Sequence, residues 1–163
     1  MKTRIISGVI IIAYAAFALI TGGLVAYLSC LAISLISAGE FFRALKVRPA
    51  DRYFGILDGS AYLMIVLYYL SILKFDSRIR FMALFAAFIV IMGVYVFTFP
   101  KYKSRQVFAA FIGVFYTGVM FSCLFLTRAL PGGAIHVWLI IISSAACDTC
   151  AYFTGMFLGK HKM

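Results

Sequence analysis

Residues 79–99 read IRFMALFAAFIVIMGVYVFTF, 21 positions in which Arg80 is the only charge. About 20 predominantly apolar residues in a helix cross the hydrocarbon of a bilayer. The run lacks the alternation of apolar and polar residues that a membrane β-barrel strand requires. It therefore predicts a transmembrane helix. Comparable runs cover residues 5–20, 24–39, 53–73, 108–127 and 135–158. The first two, separated by Thr21-Gly22-Gly23, read as a tight and slightly short hairpin. The last is entered through the turn Pro131-Gly132-Gly133. The expected fold is all-α, a polytopic membrane protein of about six transmembrane helices. Residues 1–163 are read as a single transmembrane domain.

Composition excludes the competing classes. Of the 163 residues, 65% are hydrophobic and 12% charged, and the mean hydropathy is +1.07. A soluble domain is nearer half apolar and a quarter charged, and disordered chains are poorer still in apolar residues. A signal peptide would share the basic start (Lys2, Arg4) and apolar core of residues 1–23. However, the next membrane run follows within three residues, and no A-x-A site closes the first.

The net charge of +10 comes from 15 Lys and Arg against 5 Asp and Glu. In a soluble protein that excess would favour nucleic acid. Here the cations sit in the short breaks between apolar runs, where they orient helices and meet anionic headgroups. Membrane lipids, and no nucleic acid, are the expected partners. With six spans, one side receives Lys2, Arg4, Arg43, Lys46, Arg48, Arg52, Lys101, Lys103, Arg105, Lys160 and Lys162, eleven in all. The other side receives Lys74, Arg78, Arg80 and Arg128. Positive charge resists translocation, so both termini are expected in the cytoplasm, with the chain in the inner membrane. The break at 40–49 is amphipathic: Phe41, Phe42 and Leu45 are expected at the acyl boundary, with Arg43, Lys46 and Arg48 facing phosphates. It serves either as an anchor for the second helix or as a lipid-phosphate site.

Few residues offer chemistry. Cys30, Cys123, Cys147 and Cys150 all lie in apolar runs. The pair Cys147 and Cys150 has neither a second pair nor a nearby His to complete a zinc site, so the cysteines read as small apolar helix residues. Asp58 lies near the start of the third run, either as a functional acid or as a solvated helix-start carboxylate. Asp148 is different, because it sits some ten residues inside the last run, roughly 15 Å deep at 1.5 Å per residue. A carboxylate at that depth is costly unless paired, hydrated or metal-bound, and reads as functional by default. Asp148, Tyr152, Gly155 and Gly159 share one helix face, and Gly155-x-x-x-Gly159 permits close approach of another helix. Lys160, His161 and Lys162 then add positive charge, which suits an anionic ligand or a helix-ending anchor.

The segment Asp148-Thr149-x-Ala151-Tyr152-Phe153-x-Gly155-x-x-x-Gly159-Lys160-His161-Lys162 resembles the D-[TS]-G-A-Y-x-x-G-x-x-F-G-K-H-K stretch of bacterial phosphatidate cytidylyltransferases, the CDP-diacylglycerol synthases. Less specific likenesses run through the chain: Lys2-Thr-Arg4-Ile-Ile-Ser-Gly8, Glu40-Phe-Phe-Arg43, and Arg128-Ala-Leu-Pro-Gly-Gly133. The resemblance implies transfer of CMP from CTP to phosphatidic acid, giving CDP-diacylglycerol and pyrophosphate with Mg²⁺ as cofactor. It implies that Asp148 holds the metal with Thr149 beside it, and that Tyr152 and Lys160 lie at the substrates. Self-association into a homodimer stays open. Two positions depart from the family pattern: Ala145 stands where members carry Trp, and Cys150 where they carry Gly. The family's later S-P-K-K-T-W-E-G segment and His-Gly-Gly signature are not in these 163 residues. The expectation is accordingly an N-terminal portion of the enzyme, inactive alone. The alternative is a small non-catalytic membrane protein, a transporter part or assembly factor, in which Asp148 is a polar helix contact.

Overall fold

The computed structural model describes residues 13–47, 55–74 and 76–158. The described residues are helical with short connections and contain no strand. In chain order they form a helical segment over 13–21 (α1), then α2 (Gly23–Ala44), α3 (Ile56–Lys74) and α4 (Ser77–Thr98). A long helix over Ser104–Arg128 (α5) and a last one over Gly133–Leu158 (α6) follow. Among the described residues, the five helices from α2 to α6 are long and apolar enough to cross a membrane. The chain is an all-α polytopic membrane protein, as its apolar runs predict. The first expected span, 5–20, is helical from residue 13, and its remainder lies outside the described residues. The chain divides into two compact units, Leu24–Phe125 and a second made of Met1–Gly23 with Leu126–Met163.

In the first unit, α2, α3, α4 and α5 surround a core of Tyr27, Phe42, Leu57, Ile65, Tyr69, Ile91 and Val114. Lipid supplies little hydrophobic drive between helices, so close packing and interhelical hydrogen bonds must hold them. The bonds are present. Ser34 donates to the Thr117 carbonyl at 2.7 Å, Tyr69 donates to the Cys30 carbonyl at 3.2 Å, and the Tyr68 and Ser122 hydroxyls meet at 3.2 Å. Residues Val114–Val119 of α5 form a π-helical turn, within which Thr117 also donates to the Gly113 carbonyl at 2.8 Å. Close approach explains Gly113. A Cβ there would overlap the ring of Phe42 and come within 3.1 Å of Phe41.

The break expected at 40–49 is helical as far as Ala44, so α2 runs five residues past the end of its apolar run. Phe42 is correspondingly fully buried against Gly113 and edge-on to Tyr62 at 5.5 Å, instead of lying at the acyl boundary. The polar residues that made this stretch look like a loop, Glu40 and Arg43, lie on the outer face and pair at 3.1 Å. Two hydrogen bonds close the helix, from the Val47 N–H to the Phe42 carbonyl and from the Lys46 N–H to the Arg43 carbonyl. This is the Schellman pattern, and the two residues it pairs, Phe42 and Val47, are both fully buried in the core of the unit. Lys46 occupies the left-handed position, at φ 52°, that glycine fills in most such ends. A side chain there costs about 1 kcal/mol.

The same end of the unit carries the α4–α5 connection, which includes a cis Phe99–Pro100 peptide. Gln106 donates through Nε2 to the carbonyls of Lys46 (3.1 Å) and Val47 (3.2 Å). Its Oε1 accepts from the Lys103 N–H at 2.9 Å. The two basic breaks expected on one side of the membrane therefore meet.

In the second unit, Gly22 (φ +63°) and Gly23 (φ +51°) turn the chain after α1. The guanidinium of Arg128 sits in that turn. Its Nε donates to the Leu19 carbonyl at 2.8 Å and its Nη2 to the Ile20 carbonyl at 3.3 Å. A cation at the negative end of a helix, bonded to its last carbonyls, is a stabilising arrangement.

Candidate functional site

Helix α6 begins from the turn at Pro131-Gly132-Gly133, where Gly132 takes φ +71° and the Gly133 N–H bonds the Leu130 carbonyl at 2.8 Å. Its 26 residues carry one carboxylate, Asp148. Three of the hydroxyls along it are satisfied by the helix itself. Ser143 donates to the Ile140 carbonyl (2.9 Å), Thr149 to Ala145 (2.7 Å) and Thr154 to Cys150 (2.8 Å). Such back-bonding lets a hydroxyl sit in an apolar medium without an outside partner.

Asp148 has no comparable arrangement. Its side chain is exposed, and no hydrogen bond or ion pair reaches its carboxylate among the described residues. Tyr152 follows one turn later on the same face, exposed, with its ring edge-on to Phe153 at 5.8 Å. Phe153 in turn stacks on Phe157 at 6.2 Å. The helix thus brings Asp148, Thr149 and Tyr152 together at consecutive turns. A Cβ at Gly155 would meet nothing within 4 Å. Gly159 and Lys160 lie outside the described residues. Cys147 and Cys150 are exposed free thiols.

Among the described residues no three His, Cys, Asp or Glu side chains converge to hold a metal ion. Asp148 supplies one hard oxygen donor. Magnesium in nucleotide sites is held through one or two carboxylates, with phosphate oxygens and water completing the shell. Asp148 fits as one such ligand, and the described residues do not build a metal centre without substrate oxygens.

Asp58, the other candidate acid, lies in the first unit and is fully buried. The solvated helix-start carboxylate expected as one alternative is half right. Asp58 is the third residue of α3, and its Oδ1 accepts from the Gly55 N–H at 2.9 Å, as a capping-box carboxylate does. Water does not reach it, for its side chain has no exposed surface, and Leu57, Ala61 and Tyr102 in the same unit are buried as well. The Tyr102 hydroxyl accepts from the next free amide, that of Ile56, at 3.2 Å. Neither Tyr102 nor Gln106 stands out in the sequence. The available signal was a polar side chain three residues after a glycine that opens an apolar run.

Comparison with known protein families matches residues 2–163 to the cytidylyltransferase family, and the chain belongs to that family. It is therefore a nucleotidyltransferase-family membrane protein, tied to CTP-dependent transfer. No curated protein and no solved structure matches the chain.

Proposed function

We propose that this member of the cytidylyltransferase family serves the transfer of CMP from CTP to phosphatidic acid, yielding CDP-diacylglycerol and pyrophosphate for phospholipid synthesis. The reading rests on the family match across residues 2–163 together with Asp148, the single carboxylate of α6. In this reaction a phosphate oxygen of phosphatidic acid attacks the α-phosphorus of CTP and pyrophosphate leaves. Both reactants are anions that repel, and a bound Mg²⁺ neutralises phosphate charge and polarises the attacked phosphorus. Asp148 is the proposed Mg²⁺ ligand, with its exposed carboxylate open to substrate. Thr149, held against α6 by its bond to Ala145, has oxygen lone pairs beside it. Tyr152 lines the next turn, and Lys160 places a cation for the phosphates. The eleven-to-four basic asymmetry favours both termini on the cytoplasmic side of the inner membrane, where CTP is available.

The test is CTP binding by the chain in phosphatidylcholine nanodiscs containing phosphatidic acid and Mg²⁺. Binding is read in preference to turnover so that the result reports on this chain's own residues. Asp148→Asn keeps the shape and removes the charge. It should weaken Mg²⁺-dependent CTP binding at least tenfold while the unfolding temperature stays level or rises, since an intramembrane charge is costly. Unchanged CTP binding in Asp148→Asn would remove the residue from the site. A fall in stability without a fall in binding would favour the alternative role as a polar helix contact.

A further inference from the structure

At the end of the first unit where α2 stops and α5 starts, a cavity of about 550 Å³ opens between the two basic breaks. Lys46, Lys101, Lys103, Arg105 and Gln106 line it, and among the described residues no acidic side chain does. The nearest acid in sequence on α2, Glu40, is engaged by Arg43 on the outer face. Lys101 is held with its ammonium 5.8 Å from the centroid of the buried Tyr102 ring, within cation–π range. The N-terminal turn of α5, with its partial positive charge, opens on the same space.

Topological charge alone explains why such residues lie on one side of a membrane. It does not explain why four cations converge on one concavity, where each raises the cost of the others. Nor does it explain Lys46. That position is left-handed, glycine would satisfy it without strain, and the residue present adds an ammonium at the cavity wall. Gln106 fixes the wall by bonding the Lys46 and Val47 carbonyls, so those acceptors are turned to Gln106 and away from an incoming anion.

We propose that this cavity binds a multiply charged phosphate group, the lysines and Arg105 supplying charge-assisted hydrogen bonds to its oxygens. The proposal stands on residues of the first unit and does not depend on Asp148. Two sources share that chemistry, the phosphomonoester headgroup of an anionic lipid and a soluble pyrophosphate.

The experiment compares the whole chain with Lys46→Gly, Lys46→Gln and the double variant Lys103→Gln/Arg105→Gln. One arm titrates phosphatidic acid into detergent-solubilised protein and counts bound lipid by native mass spectrometry against phosphatidylcholine. The other titrates inorganic pyrophosphate by calorimetry without Mg²⁺. Wild type should bind at least one of the two above its control, and each variant should lose on the order of tenfold in affinity. Retention of lipid alone identifies a headgroup, and retention of pyrophosphate alone a soluble ligand. Lys46→Gly relieves the left-handed strain, so it should unfold at or above the wild-type temperature while binding more weakly. No binding in either arm, or equal binding by wild type and all variants, overturns the proposal.

Discussion

Replacing Gly113 by alanine sets two effects of opposite sign against each other. In the interior of a helix, alanine is favoured over glycine by about 1 kcal/mol. At position 113 the new methyl would occupy space already taken by the ring of Phe42 and lie 3.1 Å from Phe41. The ring cannot retreat, because Phe42 is fully buried and abuts Tyr62. Overpacking of this kind costs about 1–3 kcal/mol, so the net effect should be a loss of about 1 kcal/mol. Gly93 is the control. It lies within α4 with nothing within 4 Å of its Cβ position, and Gly93→Ala should gain up to about 1 kcal/mol. Thermal unfolding in one detergent, followed by far-ultraviolet circular dichroism, reads both variants. At about 2–4 °C per kcal/mol, the two should move in opposite directions from wild type. If Gly113→Ala unfolds at or above the wild-type temperature, the α2–α5 contact at Phe42 has been misread.

Three further outcomes follow from other contacts. Arg128→Ala should cost about 1–3 kcal/mol by freeing the Leu19 and Ile20 carbonyls, and Arg128→Lys should recover only part because one ammonium does not reproduce the two-pronged bond; an unshifted melting curve for the alanine variant would dismiss the cap. Asp58→Ala should cost about 1–3 kcal/mol, with Asp58→Asn milder since an amide oxygen still accepts from the Gly55 N–H; equal curves for the two variants would argue against that bond. Alkaline phosphatase fused after residue 162 should be inactive and fused within 74–79 active, following the basic asymmetry, and the reverse pattern would invert the proposed orientation.

The spans were legible because a membrane helix announces itself by composition alone, and residues 79–99 needed no partner to be read. The end of α2 was not legible. Glu40 and Arg43 look like loop residues until the helix turns them outward together and Phe42 inward. Lys46 hid the helix stop, since a glycine would have marked it. At the candidate site, the cost of a carboxylate in lipid made Asp148 stand out without any structure. The helix start at Asp58 depends on a hydroxyl 46 positions away, at Tyr102 contacting Ile56, which no local pattern encodes.

The π-helical turn over Val114–Val119 makes α5 a helix in two phases. Each residue of an α-helix advances the face by about 100°, and a π turn absorbs one residue more than an α turn would. Removing one residue between 114 and 119 would leave the chain helical and long enough to span. Because the turn already holds the extra residue, that deletion would convert it to an ordinary α turn and leave Ser122 on Tyr68 and Phe125 on Tyr27. The same deletion in the regular helix on either side would swing everything after it by about a quarter-turn, exchanging the residues that face α2 and α3 for those that face lipid. Length change, which elsewhere in this helix alters aim, is here taken up in place.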